Sequence, residues 1–163
     1  MKQKKTMGKV IMKLKLTNLG DISAKERKLV KAEPRSSEAE ALVDTGATGL
    51  ALKPSVIRAL GLRKHETRRI STVAGPALLH RYEPVRVDLM GRYGNFDVTE
   101  VPENVPNLLG QIPLEEMDFV VDLKGQRLIP NPEHGGEWIL EMYRLASARR
   151  KSAAPRRSKR HRS

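Results

Sequence analysis

One stretch, Ala41 to Thr48, constrains the fold more than any other part of the chain. Its sequence, Ala-Leu-Val-Asp-Thr-Gly-Ala-Thr, places a carboxylate directly after apolar residues that are typical of a buried strand. An aspartate at the end of such a strand needs hydrogen-bond donors, because an unpaired buried charge is costly. A turn that includes Gly46 can bring backbone N–H groups to Asp44. The stretch therefore predicts a tight turn that presents Asp44 at a functional site.

A second apolar pair followed by glycine, Leu108-Leu109-Gly110, ends 66 residues after Asp44. An amphipathic segment and the strand-like run Phe119–Leu123 follow it. The two motifs, in this order, resemble those of the retropepsin-like aspartic proteases. The resemblance extends from the first apolar strand to about Ile129 and covers most of the part of the chain that is expected to be ordered.

The resemblance implies a role for each residue of the first motif. Asp44 would be the catalytic acid and base, Thr45 would reach across a two-fold axis to a second copy, and Gly46 would let the turn pass close to the carboxylates. Ala47 and Thr48 would complete the loop. The motif occurs once in the chain, and two adjacent carboxylates that share one proton are needed for this chemistry. The resemblance therefore implies a homodimer that hydrolyses polypeptides, without a cofactor, at acid to near-neutral pH.

The second motif would support the first from behind, with Leu109 and Gly110 buried against the active-site loop. The family often continues after this glycine with Arg and then Asp or Asn. Here Gln111 and Ile112 stand at those positions. The sequence therefore leaves it open which side-chain contacts brace the loop.

A segment between the two motifs is expected to cover the substrate. Proteases of this type close a β-hairpin flap over the peptide, and residues 72–78, Thr-Val-Ala-Gly-Pro-Ala-Leu, lie where the flap belongs. Ala74, Gly75 and Pro76 are the predicted substrate-binding tip, and Gly75 would make it mobile. A Gly-Pro turn between strands has other uses, and the sequence leaves both interpretations open.

The remaining pattern predicts an all-β fold, a closed or nearly closed barrel with one or two short helices. Predicted strands cover residues 9–17, 69–73, 78–82, 85–90, 96–101, 118–123 and 126–129, and one strand ends at Asp44. Residues 24–30 suit either a helical turn or a strand. Short helices are predicted over 54–60 and 112–117, and a last docked helix over 138–145, where Trp138 would be a packing anchor.

The remaining histidines and aspartates that could form a site are predicted to have structural roles only. The four histidines, at 65, 80, 134 and 161, lack the spacing of a metal site and are predicted at the surface or in loops. Asp118 and Asp122 are predicted to face solvent at the ends of a strand. No metal site is predicted. No phosphate-binding loop is predicted either, because no Gly-Lys-Ser or Gly-Lys-Thr follows the glycines.

Charge divides the chain into two parts. The net charge is +12, yet residues 144–163 hold nine of the 31 basic residues and no acid. We therefore expect a protease-type domain over residues 1–143 and a disordered basic tail over 144–163. The tail is either a solubilising extension or an attachment to nucleic acid or another acidic partner.

The sequence also indicates where in the cell the protein is located. It contains no cysteine, and neither a signal peptide nor an apolar run of about 18 residues is apparent. We expect a cytoplasmic protein without a membrane partner. The alternative function is that of a non-catalytic module of the same fold, which dimerises or binds peptides. In this alternative the tail would tether the module to nucleic acid.

Cutting the chain after Tyr143 tests the assignment of the tail. We expect the truncated protein to lose any affinity for nucleic acid, because the contacts would be phosphate contacts with a steep salt dependence and no base preference. Fluorescence anisotropy with a labelled oligonucleotide at two salt concentrations measures this loss. Dimerisation and cleavage of short peptides should not change, and losing either would place the tail within the fold.

Overall fold

Nine strands, three short α-helices and one 3-10 turn form the part of the chain that the computed structural model describes, residues 9–140. The strands are β1 (Val10–Asn18), β2 (Ser36–Val43), β3 (Leu50–Leu52), β4 (Lys64–Thr72), β5 (Gly75–Leu89), β6 (Arg92–Glu100), β7 (Asn107–Leu109), β8 (Phe119–Asp122) and β9 (Arg127–Pro130). The helices are α1 (Leu19–Glu26), α2 (Pro54–Ala59) and α3 (Gln111–Glu116), and the 3-10 turn is Pro132–His134.

Six strands close into a barrel. They follow one another in the order β1, β2, β7, β3, β6 and β5, and a pairing between β1 and β5 completes the ring. The strand β4 extends the sheet outward from β5, and β8 and β9 form a separate two-stranded sheet. The prediction of a closed, mainly β architecture with a few short helices is confirmed.

The strand β1 completes the ring. Leu14 and Leu16 are fully buried in the barrel core, whereas Lys13 and Lys15 lie on the exposed face. Along its length β1 pairs with β2, and its last four residues also pair with β5, where Lys15 lies opposite Asp88. β1 therefore bridges two neighbours through the backbone groups of its two edges, while its buried leucines face the core.

β5 is one long strand where the sequence pattern predicted two. The register shifts between Tyr82 and Val85, so Glu83 and Pro84 form an irregularity in the ladder with β6. Proline cannot donate to a ladder and is tolerated at such a bulge. The strand therefore continues through Pro84 instead of ending there.

The two interpretations of residues 24–30 are resolved in part: residues 24–26 end a helix that begins earlier, and residues 27–30 are neither helix nor strand. α1 starts at Leu19 because the Asn18 side chain accepts the N–H of Asp21 at 3.1 Å, which satisfies one of the free donors of the first turn. The amide of the same side chain donates to the Leu60 carbonyl at 2.9 Å. Asn18 therefore caps α1 and ties it to the end of α2.

The prediction that Asp118 faces solvent was wrong. Asp118 is only 5% exposed, and its carboxylate binds the His134 ring at 2.8 Å and the Ile139 N–H at 3.1 Å. Arg92, itself 7% exposed, lies 3.6 Å from the carboxylate and donates to the backbone carbonyls of Met117 and Asp118. A buried aspartate keeps its charge here because these partners surround it. The Asp122 side chain is 24% exposed and pairs with Arg127 at 3.1 Å.

This buried cluster holds residues 135–140 against the barrel. Arg92 also donates to the Gly136 carbonyl at 3.1 Å, and the Trp138 indole donates to the Glu116 carbonyl at 3.1 Å. Trp138 packs edge-on against Tyr93 with ring centroids 5.4 Å apart, which fits its predicted role as a packing anchor. Residues 138–140 are not helical, so the predicted helix does not begin at Trp138. Its remainder and the predicted tail lie outside the described residues.

Within residues 9–140, no helix is both long enough and apolar enough to cross a lipid bilayer.

Asp118 should make the free energy of unfolding depend on pH. Burial opposes its ionisation, but the hydrogen bonds from His134, the Ile139 N–H and Asn131 outweigh burial and hold the pKa of Asp118 below its ordinary value. A carboxyl whose pKa is lower in the folded state contributes stability above the unfolded-state pKa of about 3.9 and loses it as the pH falls toward the folded-state pKa.

We therefore expect Asp118→Asn to be less stable than wild type at pH 6, and the difference to shrink at pH 3. Urea unfolding at both pH values measures it, with the exposed Asp97→Asn as the control. A constant difference between wild type and Asp118→Asn across this range would contradict the prediction.

Candidate active site

Asp44 lies in a tight turn at the end of β2. Its carboxylate Oδ1 accepts the Gly46 N–H at 2.9 Å, and its carbonyl accepts the Ala47 N–H at 3.1 Å. Its own N–H donates to the Leu109 carbonyl at 3.0 Å. The side chain is partly exposed. The turn therefore orients the carboxylate through backbone groups and leaves it open to a ligand.

The segment after β7 lies directly against this turn. Three successive N–H groups, of Gly110, Gln111 and Ile112, donate to the carbonyls of Gly49, Ala47 and Thr48 at 2.9, 2.8 and 3.0 Å. The first N–H groups of a helix have no partner within it. Here the loop that follows Asp44 supplies those partners to the start of α3.

Gly110 permits this close approach. A Cβ atom at this position would lie 2.5 Å from the Gly49 carbonyl oxygen, 2.6 Å from the Ala47 carbonyl oxygen and 2.8 Å from the Gly49 nitrogen. All three are backbone atoms that cannot rotate away. Leu109 is fully buried beside it and pairs with Val43 in β2 and Leu50 in β3. The two sequence motifs are thus in direct contact, although they are far apart in the chain.

The departure from the family pattern at Gln111 and Ile112 has a structural explanation. The Gln111 side chain donates to Glu115 at 2.7 Å within α3, and the Ile112 side chain is 50% exposed. Both residues hold the loop through their backbone N–H groups, which any residue except proline can supply. Bracing of the loop therefore does not require the charged side chains that the family often has here.

Asn107 is a supporting residue that sequence reasoning missed. It is 5% exposed, its side-chain oxygen Oδ1 accepts the Lys53 N–H at 2.8 Å, and its side-chain Nδ2 donates to the Glu40 carbonyl at 2.9 Å. It therefore links β7 to β2 and to the end of β3. An asparagine directly before a buried Leu-Leu pair was the available signal, because a buried amide needs partners.

A cavity opens beside Asp44. Its lining residues come from β1, β2, the turn, α3, β8 and the residue after β8, and they are Val10, Val43, Asp44, Thr45, Gln111, Leu114, Phe119, Val120, Val121 and Leu123. Apart from Asp44, Thr45 and Gln111 this lining is apolar. Of the predicted loop residues, Thr45 is exposed and lines the cavity, whereas Gly46, Ala47 and Thr48 are not part of its wall.

The predicted flap segment forms the end of the β4–β5 hairpin. Val73 and Ala74 make its turn, Gly75 follows with φ +113°, and Thr72 donates to the Gly75 carbonyl at 2.7 Å. Val73 is fully exposed. Ala74, Gly75 and Pro76 do not line the cavity beside Asp44. The structure therefore contains a projecting hairpin at the predicted position but does not bring its tip to the carboxylate in a single copy.

The histidines are separate from this site. His80 contacts Thr67 at 3.0 Å on the hairpin, His134 belongs to the Asp118 cluster, and His65 is exposed. His161 lies outside the described residues. Among residues 9–140, no three potential metal-ligating side chains of the His, Cys, Asp or Glu type come together.

The closed barrel and the Asp-Thr-Gly turn held by a Leu-Leu-Gly segment define the retropepsin-like class of aspartic proteases. A family model described as aspartyl protease matches residues 30–112, about half of the chain, and spans both motifs. The chain belongs to this family. The resemblance stated from the sequence is thereby confirmed.

Comparison with solved structures includes a match to EIAV protease complexed with the inhibitor HBY-793. The two chains are 17% identical, the match covers 71% of this chain and 91% of that chain, and the TM-score is 0.46. No curated protein sequence matches the chain.

Two glycine substitutions test how the loop is held. Gly110→Ala should lower the free energy of unfolding by about 1–3 kcal/mol, because its methyl group would overlap three backbone atoms of the loop. Gly49→Ala is the matched control, since a Cβ there meets nothing within 4 Å. Chemical denaturation followed by circular dichroism measures both. Equal stability of the two variants would contradict the proposed packing.

Proposed function

We propose that the protein is a homodimeric aspartic endopeptidase in which each copy contributes one Asp44. The observation that carries the proposal is the position of this carboxylate. Backbone hydrogen bonds fix its turn, and Asp44 lines an open cavity whose walls also include apolar side chains. Membership of the aspartyl protease family supports the same reaction.

One carboxylate cannot complete the reaction. Hydrolysis of a peptide bond requires a base that takes a proton from water and an acid that protonates the carbonyl oxygen. When two carboxylates lie side by side, the repulsion between two negative charges keeps one of them protonated. The ionised Asp44 would then act as the base and the protonated Asp44 of the second copy as the acid.

The bonds made and broken follow from this division. The water oxygen attacks the carbonyl carbon as its proton passes to the ionised carboxylate, and the other carboxyl gives its proton to the carbonyl oxygen. The tetrahedral intermediate collapses when the C–N bond breaks: the protonated carboxyl gives its proton to the nitrogen, and the ionised carboxylate takes the proton of one hydroxyl group. The products are a carboxylic acid and an amine, and the dyad again holds one proton. The pair must retain one proton and lose the other, so activity should favour acid to near-neutral pH.

The remaining site residues have supporting roles in this proposal. Thr45, which is exposed beside Asp44, would contact the second copy, and Gly46 supplies the N–H that orients the carboxylate. Ala47 and Thr48, with Leu109 and Gly110 behind them, would keep the turn rigid. The substrate would be an extended polypeptide, covered by the hairpin tips around Ala74, Gly75 and Pro76 of the two copies.

A non-catalytic dimerisation or peptide-binding module of the same fold is the alternative, possible because a fold does not guarantee an activity. The intact Asp-Thr-Gly turn favours the enzyme. A purified dimer that binds peptides, never cleaves them and ignores transition-state mimics of the aspartic class would favour the module. The cytoplasmic location and the nucleic-acid or acidic partner of residues 144–163 stay predictions.

Asp44→Asn is the direct test of the proposed reaction. We expect cleavage of a peptide library to fall below detection, because an amide cannot act as the base. The fold should persist, since the amide oxygen can still accept the Gly46 N–H. Asp88→Asn, on the outer side of β5 and paired with Arg86, is the matched control and should cleave normally. Full activity of Asp44→Asn would refute the proposal.

A further inference from the structure

The β4–β5 hairpin has two faces that differ in charge. Every second side chain of a strand lies on the same face, and residues opposite each other in a ladder share a face. Tyr82 of β5 lies opposite Val98 of β6, which is fully buried in the barrel. The face that carries Tyr82 therefore continues the inner face of the barrel, and we call it the inner hairpin face. Its side chains are those of Lys64, Thr67, Arg69, Ser71, Pro76, Leu78, His80 and Tyr82.

On the opposite, outer face, both arginines have carboxylate partners. Arg68 pairs with Glu66. Arg81 lies opposite Glu66 in the ladder, at 3.5 Å from its carboxylate, and also lies 3.1 Å from the Asp97 carboxylate of β6. The positive charges of this face are therefore balanced by carboxylates of the same sheet.

Arg69 differs from the two outer arginines. Its side chain is exposed on the inner hairpin face, and within residues 9–140 it forms no ion pair and no hydrogen bond. Leu78, opposite Arg69 in the ladder, is 59% exposed. The next pair on this face is Thr67 and His80, which contact each other at 3.0 Å. An unpaired guanidinium thus lies beside an apolar side chain and a polar pair.

The chemistry of this patch fits a carboxylate. A guanidinium presents its N–H donors in a planar fork that can hold both oxygens of one carboxylate. Leu78 can pack against the methylene groups of an aspartate or glutamate side chain whose oxygens reach Arg69. Nucleic acid fits less well, since its affinity depends on several phosphate contacts. Apart from Arg69, the lysine or arginine on the inner hairpin face is Lys64, which lies over the Tyr82 ring.

We propose that Arg69 is a specificity-determining residue that binds the carboxylate of an aspartate or glutamate in the polypeptide substrate. The inference rests on the proposed function, in which the hairpin covers an extended polypeptide. Side chains of an extended peptide alternate between two sides, so only particular positions can reach Arg69. The preference for an acidic residue is therefore confined to one or two fixed positions relative to the cleaved bond, because a dimer carries two copies of Arg69.

A cycle of substitutions in enzyme and substrate tests this contact. Wild-type full chain is given a random peptide library, and the products are sequenced by mass spectrometry. A well-cleaved peptide is then made with Glu or with Gln at the preferred position. We expect kcat/KM of wild type to be at least about tenfold higher for the Glu peptide, and Arg69→Gln to cleave both peptides alike.

Arg68→Gln is the matched control, because it removes the neighbouring arginine on the outer face. It should keep the wild-type preference for Glu. Charge reversal gives a result that misfolding cannot produce: Arg69→Glu should prefer a Lys peptide over the Glu peptide. Equal loss of preference in Arg68→Gln and Arg69→Gln, or an Arg69→Glu variant that still prefers Glu, would overturn the inference.

Binding provides a readout that does not require cleavage. Full-chain Asp44→Asn is titrated into a labelled Glu-rich random peptide pool, and into the same pool with Gln in place of Glu, while fluorescence anisotropy is recorded. We expect tighter binding of the Glu pool, and we expect the added substitution Arg69→Gln to abolish the difference. Arg68→Gln should again leave it unchanged.

The outcomes separate this inference from the proposed function. Cleavage without a preference at fixed positions would overturn the inference and leave the function intact. A wild-type protein that cleaves nothing, yet binds the Glu pool through Arg69, would support the inference and refute the function. A protein that neither cleaves nor binds the pools would overturn both. An oligonucleotide that binds through Arg69, when the Glu pool does not, would assign the face to nucleic acid and overturn the inference.

Discussion

The hydrogen bonds between the start of α3 and the loop after Asp44 are the contact on which the candidate site depends. Three backbone donors from residues 110–112 meet three carbonyls from residues 47–49, and the absence of a side chain at Gly110 lets the two segments approach. Backbone donors hold position without the rotamer freedom of long side chains. This explains why the site keeps its geometry although Gln111 and Ile112 depart from the family pattern.

The barrel provides the fixed frame for that contact. β2 ends at the Asp44 turn, β7 ends at Gly110, and the two run parallel as neighbours, with Val43 opposite Leu109. Parallel neighbours bring their carboxyl ends to the same edge of a sheet. The buried amide of Asn107 adds links from β7 to β2 and to the end of β3. The carboxylate is therefore positioned by strands that are held on both sides.

Local patterns predicted much of this arrangement. The alternation in β1, the proline and glycine that bound α2, and the two apolar motifs were visible in the sequence because each depends on near neighbours. The environment of Asp118 was not visible, since it depends on Arg92 and His134, which lie 26 and 16 residues away. The bulge at Pro84 was missed for a related reason: proline ends most strands, and only the pairing with β6 shows that this strand continues. The roles proposed for the site residues depend on a second copy of the chain, which the pattern of one sequence does not describe.

The pairing of β2 with β7 also has a consequence for how the protein is made. Synthesis proceeds from the N-terminus, and a ribosome that has just added Thr48 has yet to make residues 107–112, which hold the loop. The pairing of β1 with β5 likewise waits for Asp88, which lies opposite Lys15, and the ring closes only when β7 has been made. Contacts between such distant residues form late and slow the folding of β proteins. The Asp44 turn is therefore among the last features to take shape on a growing chain, and a nascent copy lacks the contacts that hold this turn until most of its barrel has been synthesised.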